Sequence, residues 1–337
     1  MEILFTLLYA GLIGFYNIFK KLALRKSGES VILVMFTTIA FLLSLIWIPF
    51  GVAVEKKFIL IFAVKGFLLT CSWFLILKVL KQADLSAVTL TTILASTISF
   101  VLGIVIFKEI AGVLQIIGSV IIVLGVAAMN LINRTSKGSV SLLQFALLLV
   151  SALITSASNI IDKYTTTYLT QFQVQFWFLL FVTVFSWMFF VIECFRNKRF
   201  LIQKADFKNY WTYLVGVFLF VGDLMLFLAY KVPGSQMITI SILSKLKVVV
   251  TMLAGILIFK EKNIWKKLIL TLIVICGAVM IALWWYSEKI KILKEIIKFK
   301  NNSCFCKIKW TLTVFISCDI LKKIVYGENY DWFWISR

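Results

Sequence analysis

The sequence predicts an all-α protein that crosses a membrane many times, and three observations lead to this fold class. Of the 337 residues, 62% are hydrophobic and only 15% are charged, whereas soluble domains carry about 25% charged residues. The mean hydropathy is +1.01. The apolar residues form runs of about 20, the length at which an α-helix crosses the hydrocarbon layer. These runs do not alternate apolar and polar residues, which excludes a transmembrane β-barrel.

Ten apolar runs predict ten transmembrane helices. The first run has no basic residue before it and no small-residue cleavage site, so we expect a spanning helix rather than a signal peptide. Pro233 and Gly234 open the ninth run, and proline is tolerated in the first turn of a helix. The runs cover residues 3–21, 31–54, 58–78, 85–107, 111–131, 140–161, 173–195, 210–230, 234–259 and 265–286.

The charge distribution narrows the function classes. The net charge of +20 comes from 35 Lys and Arg residues, most of which lie between the apolar runs. We therefore expect contact with lipid headgroups and not with nucleic acid. The chain has no histidine, and its six cysteines show no metal-site spacing, so we expect no metal and no cofactor. An enzyme would need acids, histidines or cysteines clustered at a membrane face, and the sequence shows no such cluster.

Three short phrases occur once in each half of the chain, in the same order. Each half holds five predicted helices, an odd number, so the second copy would enter the membrane from the opposite side. Inverted repeats of this kind place a substrate site near the midplane between the halves. The phrases are Gly-Ile-x-Ile-Phe-Lys-Glu at 103–109 and 255–261, Asn-Ile-x-x-Lys at 17–21 and 159–163, and Phe-Leu-x-x-Lys at 74–78 and 227–231.

The repeats predict three parts of the chain. Residues 1–133 and 134–286 are the two five-helix repeats. Residues 287–337 form a basic, aromatic tail that we expect to lie on the membrane surface or to be disordered.

This arrangement resembles the drug/metabolite transporter superfamily, and its EamA branch is the most similar. Each repeat has a Phe-x-Glu phrase between its fourth and fifth helices and a glycine later in the fifth, Gly125 or Gly277. The resemblance covers about residues 3–286. It implies alternating access, without ATP hydrolysis, around a central cavity lined partly by the fourth and ninth helices. Related transporters form homodimers, so the resemblance also allows a homodimer.

Charged residues inside the predicted helices are the candidate functional groups, because a charge at the bilayer centre costs about 3 kcal/mol. Lys245 lies near the middle of the ninth run, with Ser241 and Ser244 on its face. We predict that this ammonium and the two hydroxyls bind an anion. Leu243-Ser244-Lys245 is similar to a leucine-asparagine-lysine phrase in the ninth helix of nucleotide-sugar and organophosphate transporters, with serine replacing asparagine. The structural alternative is an ion pair between Lys245 and Asp223.

Asp223 is the only carboxylate deep in a predicted helix. It either exchanges a proton during transport or neutralises a lysine of the ninth helix, and the two roles are compatible. Lys247 lies on the opposite side of that helix from Lys245 and ranks below it as a ligand. Lys65 is close enough to the end of its helix to reach the membrane surface, and we predict that it does.

Polar residues elsewhere complete the predicted binding site. Asn17 and Asn159 occupy matching positions in the first and sixth helices, where a buried amide either bonds a neighbouring helix or contributes to the cavity wall. The fourth helix has no charge, and its hydroxyls, including Thr92 and Ser96, predict a neutral end of the pocket. Alternatively, these hydroxyls bond the backbone of their own helix.

We therefore predict a secondary transporter of the plasma membrane. It would move a small polar, anionic metabolite by alternating access, with Lys245 as the main contact, and its partners would be the solute and membrane lipids. The alternative within this class is an exporter of amino acids or of amphiphilic drugs and metabolites, in which Lys245 stays paired with Asp223. An alternative from another class is a non-transporting membrane assembly subunit.

Overall fold

All regular structure in the described part of the chain is helical, with no β-strand there. Eight of the ten predicted transmembrane helices lie mainly inside this part. The fourth, the tenth and the predicted tail lie in large part outside it. The computed structural model describes residues 1–85, 88–89, 98–99, 101–106, 112–133, 141–198 and 200–259, together with positions 269, 272–273, 276–277 and 279–280.

Nine α-helices are defined within these residues. They are α1 (Glu2–Leu24), α2 (Glu29–Ser44), α3 (Lys56–Gln82), α4 (Val113–Asn133), α5 (Leu142–Tyr168), α6 (Gln171–Asn197), α7 (Tyr210–Lys231), α8 (Met237–Leu243) and α9 (Lys247–Leu257). Short 3₁₀ helices cover Leu45–Phe50, Asp206–Lys208 and Ser244–Leu246.

Seven segments of the described chain are long and apolar enough to cross a membrane. They are α1, α2 with the 3₁₀ helix that follows it, α3, α5, α6, α7 and the stretch Met237–Gly255. The structure is therefore that of a polytopic α-helical membrane protein, as the composition predicts.

Capping residues fix the starts of α5 and α6. The Ser141 hydroxyl accepts a hydrogen bond from the Gln144 backbone N–H, and the Gln144 side chain accepts one from the Ser141 N–H. Thr170 and Gln173 repeat this capping box at the start of α6. Each box satisfies two N–H groups that have no partner within the helix.

Helix α5 ends at Tyr168, whereas the sequence predicted its end at residue 161. The longer helix places Asp162 inside a spanning segment, where it is 4% exposed. The prediction that Asp223 is the only carboxylate deep in a helix is therefore wrong.

Two predicted helices are interrupted. In the second run, α2 ends at Ser44, and a 3₁₀ helix that contains Pro49 follows it. Proline has no backbone N–H, so it cannot make the hydrogen bond that would continue the α-helix. In the ninth run, the 3₁₀ turn Ser244–Leu246 separates α8 from α9. Pro233 and Gly234 precede α8, which begins at Met237, and are not its first residues. Gly234 adopts φ +72° in a turn, a conformation that glycine accepts without strain.

The helices pack in reciprocal pairs. Helix α1 packs along α7, and α3 packs along α5; α2 contacts both α6 and α7, and α6 contacts both α2 and α3. Glycines permit two of these close approaches. A Cβ added at Gly66 of α3 would lie 2.7 Å from Phe181 Cβ of α6, and one added at Gly216 of α7 would lie 2.7 Å from Ile39 Cγ2 of α2.

Candidate functional site

A polar cavity of about 140 Å³ lies between α1, α3, α5, α7 and the interrupted segment α8–α9. At about 30 Å³ per water molecule, this volume corresponds to about five waters or one small solute. Helices from both halves of the sequence form its wall. Three charged side chains line it, namely Lys20, Asp223 and Lys247.

Uncharged polar and aromatic side chains make up much of the remaining wall. The aromatic ones are Tyr9, Tyr16, Trp73 and Tyr230, and the amides and hydroxyls are Asn17, Ser151, Thr155, Asn159, Ser241 and Ser244. A wall with this many hydrogen-bonding groups suits a polar solute better than an apolar one.

The predicted site residues divide into three groups. Lys245 is fully buried and does not line the cavity. Thr92 and Ser96 lie outside the described residues. The others all line the cavity: Asn17, Asn159, Asp223, Ser241 and Ser244.

The helix interruption explains why Lys247, and not Lys245, lines the cavity. On one continuous α-helix of 3.6 residues per turn, Lys247 would lie about 200° around the axis from Lys245 and about 120° from Ser241. A 3₁₀ helix has 3.0 residues per turn, so each of its residues advances by about 20° more. Over Ser244–Leu246 the difference reaches about 60°, which changes the face that α9 presents.

Three buried polar atoms of the cavity wall have no hydrogen-bond partner among the described residues. They are Tyr16 Oη, Asp223 Oδ2 and Ser241 Oγ. By contrast, the Ser244 hydroxyl donates to the Ser241 carbonyl at 2.8 Å. Because buried polar groups are nearly always hydrogen-bonded, unpartnered groups around one cavity indicate a place where a ligand or water binds.

The charged groups of the wall form no ion pairs with one another. Lys20 is 3% exposed, and its Nζ lies 4.3 Å from the centroid of the Tyr16 ring. In the described part of the chain, ion pairs within 4.0 Å join Lys57 to Glu55, Lys65 to Asp162 and Lys81 to Glu29. Asp223 belongs to none of them, so the alternative of an Asp223–Lys245 ion pair does not describe this structure.

The prediction that Lys65 reaches the membrane surface is wrong. Lys65 is 1% exposed and donates a hydrogen bond to Asp162 Oδ1. Its Nζ also lies 3.9 Å from the ring centroid of Phe178 and 5.4 Å from that of Phe227. The sequence does not reveal this pair, because the predicted sixth helix ends one residue before Asp162.

Asn159 is partly buried and makes two kinds of contact. It lines the cavity, and its Nδ2 donates to the Ser99 hydroxyl at 2.9 Å, which links α5 to the fourth predicted helix. A second hydroxyl contact joins α3 to α5, where Ser72 Oγ and Ser151 Oγ lie 2.7 Å apart. These contacts hold the polar wall together from the α5 side.

Lys20 is the main functional candidate that the sequence argument missed. It stands at the end of the first run next to Lys21, where a lysine ordinarily marks the membrane surface. The available signal was helical spacing, because Tyr9, Tyr16 and Lys20 follow one face of α1 with Asn17. The structure shows that this face lines the cavity.

Together, these features define an integral membrane protein with a polar, charged cavity between its helices, the type of structure that transporters share. Residues 142–283 match the EamA-like transporter family, which confirms the resemblance identified in the sequence. A solved crystal structure shares the fold, with a TM-score of 0.62 and 15% sequence identity, over 82% of this chain and 96% of that one. No curated protein sequence matches the chain.

Proposed function

We propose that this protein is a secondary transporter of the plasma membrane that moves a small anionic metabolite by alternating access. The observation that carries the proposal is the cavity, in which two lysines from opposite halves, the buried Lys20 and the half-buried Lys247, have no carboxylate partner among the described residues. The match of residues 142–283 to a transporter family supports the class.

Charge balance favours an anionic solute. The wall holds two lysines and one aspartate, a formal excess of one positive charge. Inside a membrane such an excess is costly unless a negative group offsets it. A lysine ammonium supplies three hydrogen-bond donors, so a carboxylate or phosphate would satisfy both the charge and the hydrogen bonds.

The interrupted ninth segment adds to this preference. The 3₁₀ turn places the Lys247 ammonium, at the start of α9, in the cavity wall, where it favours a negative group. Discontinuous helices of this kind bind substrates in other transporter folds. The buried Ser241 hydroxyl lies in the same wall and has no partner in the described chain.

Lys245 keeps its predicted role in a second state of the transporter. It lies in the 3₁₀ turn next to Ser244, and we propose that it reaches the solute when this segment moves between the inward-open and outward-open states. Thr92 and Ser96 remain the predicted neutral end of the pocket.

The proposed architecture is ten helices in two inverted repeats, residues 1–133 and 134–286. The reciprocal packing of α1 with α7 and of α5 with α3 supports it. The repeated lysines support it further. Lys21 Nζ donates to the carbonyls of Leu80 at 2.5 Å and Ala83 at 2.7 Å, and Lys163 Nζ donates to the carbonyl of Ser235 at 2.6 Å. Both sets of carbonyls follow the repeated Phe-Leu-x-x-Lys phrase by two to five residues.

A thermal-shift screen of the purified protein tests the proposed solute class. Phosphorylated metabolites, nucleotides, organic acids and amino acids would be screened against the wild type, Lys247→Ala and Lys245→Ala. A compound that binds only the native state raises the melting temperature by mass action. We expect an anion to stabilise the wild type and Lys247→Ala to lose that response. Lys81→Ala is the matched control, because Lys81 lies outside the cavity in a partly exposed pair with Glu29.

Two results would overturn the anion proposal. If only neutral or zwitterionic compounds respond, and equally in all variants, the exporter of amino acids or amphiphiles becomes the better description. If an anion binds but proteoliposomes show no counterflow of the radiolabelled anion, the protein binds a solute without transporting it.

A further inference from the structure

Two buried carboxylates lie near a single lysine between α3, α5 and α7. Lys65 of α3 donates to Asp162 of α5. The rings of Phe178 and Phe227 cover the same ammonium, at 3.9 Å and 5.4 Å. Phe227 stands four residues after Asp223 on α7, which is one helical turn along the same face. The second carboxylate therefore lies about one turn from an ammonium that is already paired.

Asp223 lacks the partners that Asp162 has. It is 8% exposed, and its Oδ2 has no hydrogen-bond partner in the described part of the chain. It also faces the cavity. A lone carboxylate in such surroundings must be neutralised, because an uncompensated buried charge costs several kcal/mol. Either a cation or a proton could do this.

The surroundings of Asp223 favour a proton over a metal ion. Hard cations such as Ca²⁺ need six to eight oxygen ligands, whereas a proton needs a single carboxylate oxygen. Lys20 and Lys247 in the same wall would also repel a metal cation that kept its full charge. Protonation neutralises Asp223 without placing a multivalent ion beside these ammonium groups.

The titratable groups around Asp223 come from α1, α3, α5, α7 and α9, whereas α8 contributes Ile240 and the Ser241 hydroxyl to the wall. Helices α2 and α6 also pack on α7 but contribute no side chain to the cavity wall. The titratable neighbours in the wall and beside it are Tyr9, Tyr16 and Lys20 of α1, Lys65 of α3, Asp162 of α5, Tyr230 of α7 and Lys247 of α9.

We propose that Asp223 is a proton-binding site whose carboxylate takes a proton from hydronium in the cavity and returns it to water. In the forward step one O–H bond forms on the carboxylate, and hydronium becomes water. Lys65 stays bonded to Asp162 throughout.

Proton binding at Asp223 would be coupled to anion binding. An anion held by Lys20 and Lys247 would place a negative charge in the same wall as the Asp223 carboxylate, so it would favour the neutral carboxylic acid and strengthen proton binding. By reciprocity, the proton strengthens anion binding to the same degree. This coupling rests on the proposed function, whereas proton binding itself does not.

Infrared difference spectroscopy of the purified protein in lipid nanodiscs, without any solute, tests the proton site. We expect the C=O stretching band of a buried carboxylic acid to appear and disappear as the sample is titrated from about pH 4 to pH 10. Asp223→Asn should abolish this band. Asp206→Asn should retain it, because Asp206 is a buried aspartate outside the cavity that already accepts a hydrogen bond from the Gln203 N–H at 2.7 Å.

Two results would overturn the proton site: no titrating band in the wild type, or a band that survives in Asp223→Asn. Asp223→Glu covers the case in which the asparagine variant fails to fold. Its band should persist at a shifted frequency, and an unchanged band would assign the proton to another group. Because the experiment contains no solute, its failure is distinct from failure of the proposed transport function.

Discussion

The ion pair beside the cavity and the charges inside it differ in their partners, although both lie in the interior of the same helix bundle. Lys65 has a carboxylate and two aromatic rings around its ammonium. Lys20, Lys247 and Asp223 line the cavity and belong to no ion pair in the described chain. Asp162 follows the cavity residue Asn159 by three positions, so less than one helical turn separates the two regions on α5.

This difference shows that burial alone does not identify a functional charge. Each buried charge carries a similar desolvation cost, so the informative observation is whether the surrounding protein offsets that cost. At Lys65 it does, which is typical of a structural pair. At the cavity it does not, which leaves the charges available to a solute or a proton.

Lys21 and Lys163 represent a third kind of lysine, intermediate between the paired Lys65 and the cavity lysines. Their ammonium groups bind neutral backbone carbonyls. Disrupting each kind should therefore cost a different amount of stability. The loss should be largest at the carboxylate-paired lysine and smallest at the cavity lysines.

The largest loss should follow Asp162→Asn, because it leaves Lys65 buried without its carboxylate. Breaking one partner of a buried pair costs about 3–5 kcal/mol. Unfolding of the purified protein, followed by melting temperature, measures the loss. The double variant Lys65→Met/Asp162→Leu should recover most of it, because no buried charge remains. If Asp162→Asn leaves the melting temperature unchanged, Lys65 must pair with Asp223 instead. The ion pair and the cavity charges would then not be separate regions.

An intermediate loss should follow Lys21→Met and Lys163→Met. Each change removes hydrogen bonds from an ammonium to backbone carbonyls, which are worth about 1.5–3 kcal/mol. If the halves are true repeats, the two losses should be similar. The exposed Lys56, changed to Met, is the control and should have almost no effect. A loss at one position alone would contradict the equivalence of the two turns.

The smallest loss should follow Lys20→Met and Lys247→Met. These changes remove charges that the described protein does not neutralise, so stability should change by less than about 1 kcal/mol or should rise. The stabilising effect of the anion found in the thermal-shift screen should nevertheless fall at least about tenfold in apparent affinity. A large loss of stability without added anion would show that these lysines are structural, like Lys65.

The sequence by itself determined the class of fold and part of the candidate site. Runs of about 20 apolar residues are a property of composition, and a membrane leaves them no structure other than a helix. The same reasoning located Asn17, Asn159, Asp223, Ser241 and Ser244, because polar groups in such runs must face the protein interior. These residues do line the cavity.

Only the tertiary structure decided which charges are paired. Lys65 meets Asp162 because α5 continues past residue 161 and packs along α3, and no local pattern in the sequence reports either fact. Lys247 lines the cavity in place of Lys245 because a 3₁₀ turn changes the rotation of the ninth segment. Periodicity places a residue on a face of an ideal helix, but the packing of neighbouring helices decides where that helix breaks and what each face meets.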